Sequence, residues 1–286
     1  MRKGVWAWRM NDIFKRSLTG FIYAAVIVGS VIWSFYSLAI VFGVSSLLCS
    51  WEFLNAYADS KYKLQWYYSL ILSLSIFVIY VCVLLFDSMG PAYLGLLIPL
   101  VFGMFVWELF RKKEKPFNNL ALSLLIPFYT TLPFAFLCNL SYLGKEFNPG
   151  IVIGIILLSW SNDTFAYLIG RKWGRTKLLE RISPKKTIEG SLAGLISTML
   201  IAYFLLPFLF EVRGITKVDW LVIGGLVVIF GSLGDLVESM FKRSVGIKDS
   251  SNLLPGHGGF LDRFDALLLA VPFVFSYVYI IRHLVQ

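Results

Sequence analysis

The chain has 286 residues, of which 58% are hydrophobic and only 15% charged, at a mean hydropathy of +0.74. A soluble domain is nearer half apolar and a quarter charged, so this balance excludes a soluble globular fold and points to an all-α polytopic membrane protein. The formal net charge of +9 fits a basic face set against anionic lipid headgroups and calls for no nucleic-acid partner.

The N-terminal stretch carries Arg2, Lys3, Arg9, Lys15 and Arg16, with Trp6 and Trp8 among them. No small-residue cleavage site follows the first apolar run, so that run is read as a retained helix rather than a signal peptide. Nine apolar segments follow in chain order, at 18–33, 35–53, 66–86, 92–110, 120–138, 150–170, 190–210, 220–241 and 264–281, each bounded by charges, Gly or Pro. A hydrocarbon core of ~30 Å takes about 20 helical residues, which most of these segments supply. Only Ser34 separates the first two, so they form either a tight hairpin or a pair of which one does not span. With the N-terminus inside, all of the 26 Lys and Arg fall on the cytoplasmic side except Lys145, Arg213, Lys217 and Arg282. That asymmetry predicts an N-inside, C-outside topology. The expectation is one integral membrane domain over 1–286, with a mainly apolar scaffold at 1–140 and the chemistry at 150–286.

The scaffold half offers little chemistry. Cys49, Cys82 and Cys138 lie in or beside apolar segments without metal-ligand spacing, and their odd number argues against a disulfide framework. Glu52 and Glu108 sit near the cytoplasmic ends of their segments, where a carboxylate can snorkel to water. Pro91, Pro99, Pro127 and Pro133 are expected to kink or end helices.

From residue 159 onward polar side chains enter the apolar segments. The sixth segment contains Asn162, Asp163, Thr164 and, one turn on, Tyr167, then ends in Gly170-Arg171-Lys172. A carboxylate inside a span costs about 2.5–3.5 kcal/mol to insert and usually faces a cavity or a partner. With its polar neighbours, Asp163 reads as part of a functional face more than as a structural cap. The loop 171–189 holds Arg171, Lys172, Arg175, Lys177, Arg181, Lys185 and Lys186 around the run Ser183-Pro184-Lys185-Lys186-Thr187-Ile188-Glu189-Gly190. Such a loop is either an ordinary basic cytoplasmic loop or a clamp for phosphates, with Ser183 or Thr187 adding hydroxyls.

In the eighth segment Asp235, Glu238 and Ser239 share one helical face at i, i+3 and i+4. Such a pair of carboxylates suits a divalent cation, the alternative being a polar network between helices. Next comes the run SMFKRSVGIKDSSNLLPGHGGFLDRFD at 239–265, a polar, charged run between two hydrophobic segments. It combines the carboxylates Asp249, Asp262 and Asp265 with Lys242, Arg243, Lys248 and Arg263. His257 stands among Gly256, Gly258 and Gly259, where a backbone can approach a ligand closely. Asp262 and Asp265 also suit a helix N-terminus, where they would be caps.

This run resembles the signature of the phosphatidate cytidylyltransferases, also called CDP-diacylglycerol synthases. That signature reads S-x-Φ-K-R, four residues, K-D, a spacer, then H-G-G-Φ-x-D-R-Φ-D, where Φ is apolar. It is met by Ser239, Lys242-Arg243, Lys248-Asp249, His257-Gly258-Gly259, Asp262-Arg263 and Asp265 with every spacing kept. The runs Asn162-Asp163-Thr164, Gly170-Arg171 and 183–190 look like the same family, so the specific resemblance covers roughly the last 130 residues.

The resemblance implies transfer of CMP from CTP to phosphatidic acid, with CDP-diacylglycerol and pyrophosphate as products. Both reactants are anions, so the chemistry asks for metal and cations more than for a covalent catalyst. On this reading Asp249, Asp235, Lys248, His257 and Asp262 are catalytic, and Mg²⁺, with or without a second metal ion, is held by Asp235 and Asp249 with Asp163, Asp262 or Asp265. Phosphates of CTP and lipid fall to Lys185, Lys186, Thr187, Ser239, Lys242, Arg243 and Arg263, with Gly258 and Gly259 giving close backbone approach. His257 orients or binds, because the attacking phosphate is already ionised. The resemblance further implies a homodimer; the compact length and the lack of an organelle-targeting segment point to a bacterial inner membrane, and the charge asymmetry to an active site facing the cytoplasm. Two competing readings are a CTP-dependent lipid-alcohol kinase and an ion-coupled transporter. The D-G-x-x-A-R run of the enzymes that consume CDP-diacylglycerol is absent from the sequence.

Overall fold

A computed structural model of the chain describes residues 2–285 apart from 87, 144, 145, 180, 181, 255 and 257; at 2–16, 184, 185 and 282–285 it describes the backbone path alone. The protein is an all-α polytopic membrane protein. Among the described residues, seven helical stretches are long and apolar enough to cross a membrane: Phe35–Ala56, Trp66–Leu85, Pro91–Arg111, Pro116–Leu140, Gly150–Trp173, Ile188–Leu209 and Lys217–Ser244. Two shorter apolar stretches, Ser17–Trp33 and Asp265–Ile281, stand at the two ends of the series. In lipid every backbone N–H and C=O must be matched within its own segment, which is why these apolar runs are helical.

Helix α1 (Arg2–Trp33) and α2 (Phe35–Ala56) form the hairpin left open by the sequence. Ser34 is fully extended and caps α2: its hydroxyl accepts from Ser37 N at 3.1 Å, and the Ser37 hydroxyl accepts from Ser34 N at 3.1 Å. Helix α3 (Trp66–Leu85) is followed by a 3-10 turn (Pro91–Leu96) that opens on Pro91, then by α4 (Leu97–Arg111). The next span is broken into α5 (Pro116–Thr130) and α6 (Leu132–Leu140), with Thr131 at the break and Pro133 in the first turn of the second piece. A proline has no N–H to donate, so breaks at such positions follow from covalent structure.

The later half begins with α7 (Gly150–Trp173). The basic loop after it is not irregular: β1 (Lys177–Leu179) and β2 (Ser183–Thr187) pair antiparallel into a small hairpin. Thr187 then caps α8 (Ile188–Leu200), its hydroxyl accepting from Gly190 N at 3.2 Å. A π-helical turn (Ile201–Leu205) joins α8 to α9 (Leu206–Leu209). Helix α10 (Lys217–Ser244) starts with a capping box between Thr216 and Asp219, and a 3-10 turn (Leu261–Arg263) leads into α11 (Asp265–Val285).

Small residues let the helices of the later half approach closely, as is usual inside membranes. A Cβ on Gly190 would strike Ala166 O and Gly170 Cα, which binds α8 to α7; one on Gly234 would strike Asp265 O, which binds α10 to α11. The second of these contacts draws together the carboxylates carried by α10 and α11. The earlier half is wrapped around them. Phe53 of α2 stacks on Phe241 of α10 with ring centroids 4.0 Å apart, and Phe134 of α6 packs edge-on against Phe264 at 4.9 Å. Aromatic pairs of this kind add about 1 kcal/mol each beyond their buried area. Bulky apolar side chains face outward on α4 (Phe102, Leu109, Phe110) and α8 (Leu192, Ile196, Leu200), where lipid tails suit them.

One expectation from the sequence is overturned. Neither Glu52 nor Glu108 snorkels; they are 0% and 6% exposed. A buried carboxylate without partners costs several kcal/mol, and both have partners. Glu108 accepts from Gln65 Nε2 at 2.7 Å, Arg111 Nη1 at 2.7 Å and Asn119 Nδ2 at 3.2 Å, tying α4 to α3 and α5.

Candidate active site

The site is built on one face of α10. Asp235, Glu238 and Asp265 bring a carboxylate oxygen each to within 4.8 Å of one another. Asp265 opens α11, and its Oδ1 accepts from Ala266 N at 2.7 Å. Glu238 is buried; its Oε2 lies 2.7 Å from Lys242 Nζ, whereas Oε1 finds no donor among the described residues. A buried oxygen left without a donor, inside a set of three hard oxygen ligands, suits a hard divalent cation such as Mg²⁺. Asp163, Asp249 and Asp262 lie outside this triple.

Lys242 links the triple to the loop 245–264. Its Nζ also lies 2.8 Å from Asp262 Oδ1, while Asp262 Oδ2 accepts from Ser250 N at 3.2 Å and Gly259 N at 3.0 Å. Burial works against the Asp262 charge, yet the Lys242 ammonium and the Gly259 N–H on its oxygens hold its carboxyl down at about 2. Gly258 takes a φ of +88°, open to glycine at little cost. A Cβ there would stand 3.3 Å from Asp262 Oδ2 and 3.8 Å from Asp249 Cβ, which puts Asp249 beside both residues. Leu254 and Gly258 exchange backbone hydrogen bonds of 3.0 and 3.2 Å and so close the loop on itself. Lys248, Asp249, Arg243 and Arg263 are exposed around it.

On the other side of Asp235 lies a cavity of about 560 Å³ lined by Asp163, Tyr167, Arg171, Lys177, Lys186 and Asp235, among others. Lys186, at the end of the β-hairpin, pairs with Asp235 Oδ2 at 2.5 Å, and the Ser239 hydroxyl reaches Asp235 Oδ1 at 3.3 Å. Thr187 lines the same cavity while capping α8. The hairpin base is fixed by Glu189, which accepts from Arg175 N at 3.1 Å and Thr176 N at 3.0 Å. Asp235 is thus the meeting point of a cation-lined cavity and a carboxylate cluster. His257 and the Lys185 side chain lie outside the described residues.

Residues 14–281 match the family model described as the cytidylyltransferase family. The chain belongs to that family. A protein of Haemophilus influenzae named phosphatidate cytidylyltransferase is 40% identical over 171 residues, which is 57% of this chain and 58% of the relative. Proteins of the same name from Staphylococcus aureus and Staphylococcus haemolyticus are each 36% identical, over 178 and 188 residues. Those two alignments cover 62% and 65% of this chain, and 65% and 69% of the relatives. The chain therefore spans less than two thirds of the length of the first two relatives.

This cytidylyltransferase-family site includes one residue that the sequence reading passed over. Glu52, on α2, accepts from the hydroxyls of Ser250 at 2.8 Å and Ser251, and from Phe260 N at 2.8 Å and Leu261 N at 2.7 Å. A carboxylate within an apolar segment signals that partners exist. Nothing local tells that those partners lie some 200 residues away.

Proposed function

We propose that the protein transfers CMP from CTP to phosphatidic acid, releasing pyrophosphate and leaving CDP-diacylglycerol in the membrane. The observation that carries this reading is the cation-lined cavity opening onto the Asp235–Glu238–Asp265 cluster, in a member of a cytidylyltransferase family. Asp235, Glu238 and Asp265 would hold Mg²⁺; Asp163 lines the cavity together with Asp235, and Asp249 stands with Asp262 beside Gly258, where they would support it or a second ion. When bound, the ion offsets phosphate charge and polarises the phosphorus under attack.

The remaining work belongs to the chain itself. Lys186, Arg171 and Lys177 face the cavity and would take the CTP phosphates, with Thr187 and Ser239 beside them. Lys186 neutralises Asp235 across the ion pair, and it can exchange that partner for an arriving phosphate without leaving the cavity. Arg243, Lys248 and Arg263 surround the glycine-rich loop and would receive the lipid phosphate, with Gly258 and Gly259 admitting it to the backbone. Lys242 sits between Glu238 and Asp262 and holds the two carboxylate groups in register. A phosphate oxygen of the lipid attacks the α-phosphorus; the bond to the β-phosphate oxygen breaks and its electron pair leaves with pyrophosphate. The attacking oxygen is already ionised, so no residue has to remove a proton.

We further read nine crossing segments with the N-terminus cytoplasmic, the site at the cytoplasmic face of a bacterial inner membrane, and a homodimer. The charge asymmetry along the chain and the names of the bacterial relatives support the topology and the compartment. The test is incubation of purified protein with labelled CTP, phosphatidic acid and Mg²⁺. A labelled CDP-lipid formed with equimolar pyrophosphate, and lost on adding EDTA, supports the proposal. CDP released with phosphorylation of a supplied lipid alcohol contradicts it in favour of a kinase, and intact CTP with folded protein contradicts both.

A further inference from the structure

The loop 245–264 carries site residues at both of its ends, Lys248 and Asp249 on one side and Gly259, Asp262 and Arg263 on the other. A loop of that length gains little from its own backbone: Leu254 and Gly258 close its tip, and Asp262 gathers two of its N–H groups. Glu52 closes it from outside. Oε1 takes Ser251 Oγ and Phe260 N, and Oε2 takes Ser250 Oγ and Leu261 N, so each oxygen binds both sides of the loop. An ionised carboxylate offers about four acceptor sites, and all are matched.

The donors are placed with purpose. Ser250 follows Asp249 directly, and Leu261 precedes Asp262 directly, so the clamp sets the separation of the two aspartates. Phe260 and Leu261 open the 3-10 turn Leu261–Arg263, whose free N–H groups suit an anion. Gly259 is part of the fit, since a Cβ there would overlap the Ser250 hydroxyl and come within 2.9 Å of Glu52 Oε2. Glu52 is itself fixed, being wholly buried on α2 one residue before Phe53, which stacks on Phe241 of α10.

We infer that Glu52 is a positioning residue for the reaction, holding the 245–264 loop so that Asp249 and Asp262 stand at their working separation. It touches no substrate; it acts through the loop. The inference rests on the cytidylyl-transfer reading for its activity measurement, though not for its structural one.

The test compares Glu52→Gln with Glu108→Gln in the full-length purified protein. Both replace a buried, hydrogen-bonded carboxylate of the earlier half, but the partners of Glu108 among the described residues are Gln65, Arg111 and Asn119, none of them in the loop 245–264. An amide at position 52 turns a donor toward donors. A displacement near 1 Å at a reacting centre costs about 10²-fold in rate, so kcat for CDP-lipid formation is expected to fall on the order of 10²-fold in E52Q, with the KM for CTP little changed. E108Q is expected to keep kcat within about twofold of wild type while melting at a lower temperature. Hydrogen exchange supplies the second readout: the Phe260 and Leu261 amides should exchange slowly in wild type and fast in E52Q.

Should E52Q not fold, the double variant Ser250→Ala/Ser251→Ala removes two donors, leaves the backbone bonds, and is expected to lose on the order of tenfold in kcat. Wild-type-like kcat and slow Phe260 and Leu261 exchange in E52Q, or a kcat drop in E108Q as large as in E52Q, overturns the inference. A wild-type protein that makes no CDP-lipid overturns the functional reading instead, and the exchange comparison then still decides the clamp.

Discussion

The two halves of the molecule treat buried carboxylates in opposite ways. In the earlier half, Glu52 and Glu108 are each surrounded by donors from several elements, and their oxygens are matched. In the later half, Asp235, Glu238 and Asp265 crowd together, share Lys186 and Lys242, and leave Glu238 Oε1 with no donor among the described residues. A matched carboxylate ties elements together, whereas an undersupplied cluster waits for a cation. Donor supply separates acids that tie elements together from acids suited to an ion more cleanly than depth does, since Glu52 at 0% exposure is buried as fully as Glu238 at 1%.

Substitutions that strip the later half sharpen the contrast most. Asp235→Asn and Asp249→Ala are each expected to cut CDP-lipid formation by at least about 10³-fold while the protein still inserts and purifies. Retained turnover in either breaks the assignment of that residue. Lys186→Ala should act more mildly: losing a charged hydrogen-bond donor to phosphate corresponds to roughly 10- to 100-fold. That loss should appear chiefly in the KM for CTP, as steady-state kinetics with varied CTP would report.

At Glu108, whose partners lie away from the loop 245–264, the same kind of change is expected to register as stability. Glu108→Gln should lower unfolding free energy by about 1–3 kcal/mol, read from thermal melts in detergent, with activity per folded molecule kept. The smallest expected effect concerns acid. Asp262 is held at about 2, below its ordinary carboxyl value, so its charged contacts stabilise above the unfolded value and are lost only as pH falls through the folded one. The melting difference between wild type and Asp262→Asn should therefore stay constant from about pH 8 to about pH 5 and narrow below about pH 4. A difference that vanishes near neutrality contradicts that placement of the charge.

Much of the architecture is legible in the sequence because lipid imposes a simple rule: apolar runs of sufficient length are helices. Segments 66–86 and 150–170 match α3 and α7 to within a few residues. The break at Thr131 is foreshadowed by Pro133, whereas the π-helical turn at Ile201–Leu205 and the β-hairpin within the basic loop depend on tertiary packing, and apolar run length carries no sign of them. The site divides in the same way. Asp235 and Glu238 are visible as a pair because helical spacing is local, and the loop residues are visible through an unbroken motif. That Asp265 completes the triple follows from the Gly234–Asp265 approach between α10 and α11. That Lys242 serves carboxylates follows from the return of the loop onto α10. Glu52 was hardest to see, because its partners are brought to it only by the stacking of α2 on the end of α10.

The most direct measurement is to follow the fate of each phosphorus of CTP. Purified protein is given phosphatidic acid, Mg²⁺ and CTP labelled at either the α- or the γ-phosphorus, and lipid and aqueous products are separated. Cytidylyl transfer requires the α label in the lipid fraction and the γ label in pyrophosphate. The γ label in lipid with the α label left in soluble CDP would contradict it.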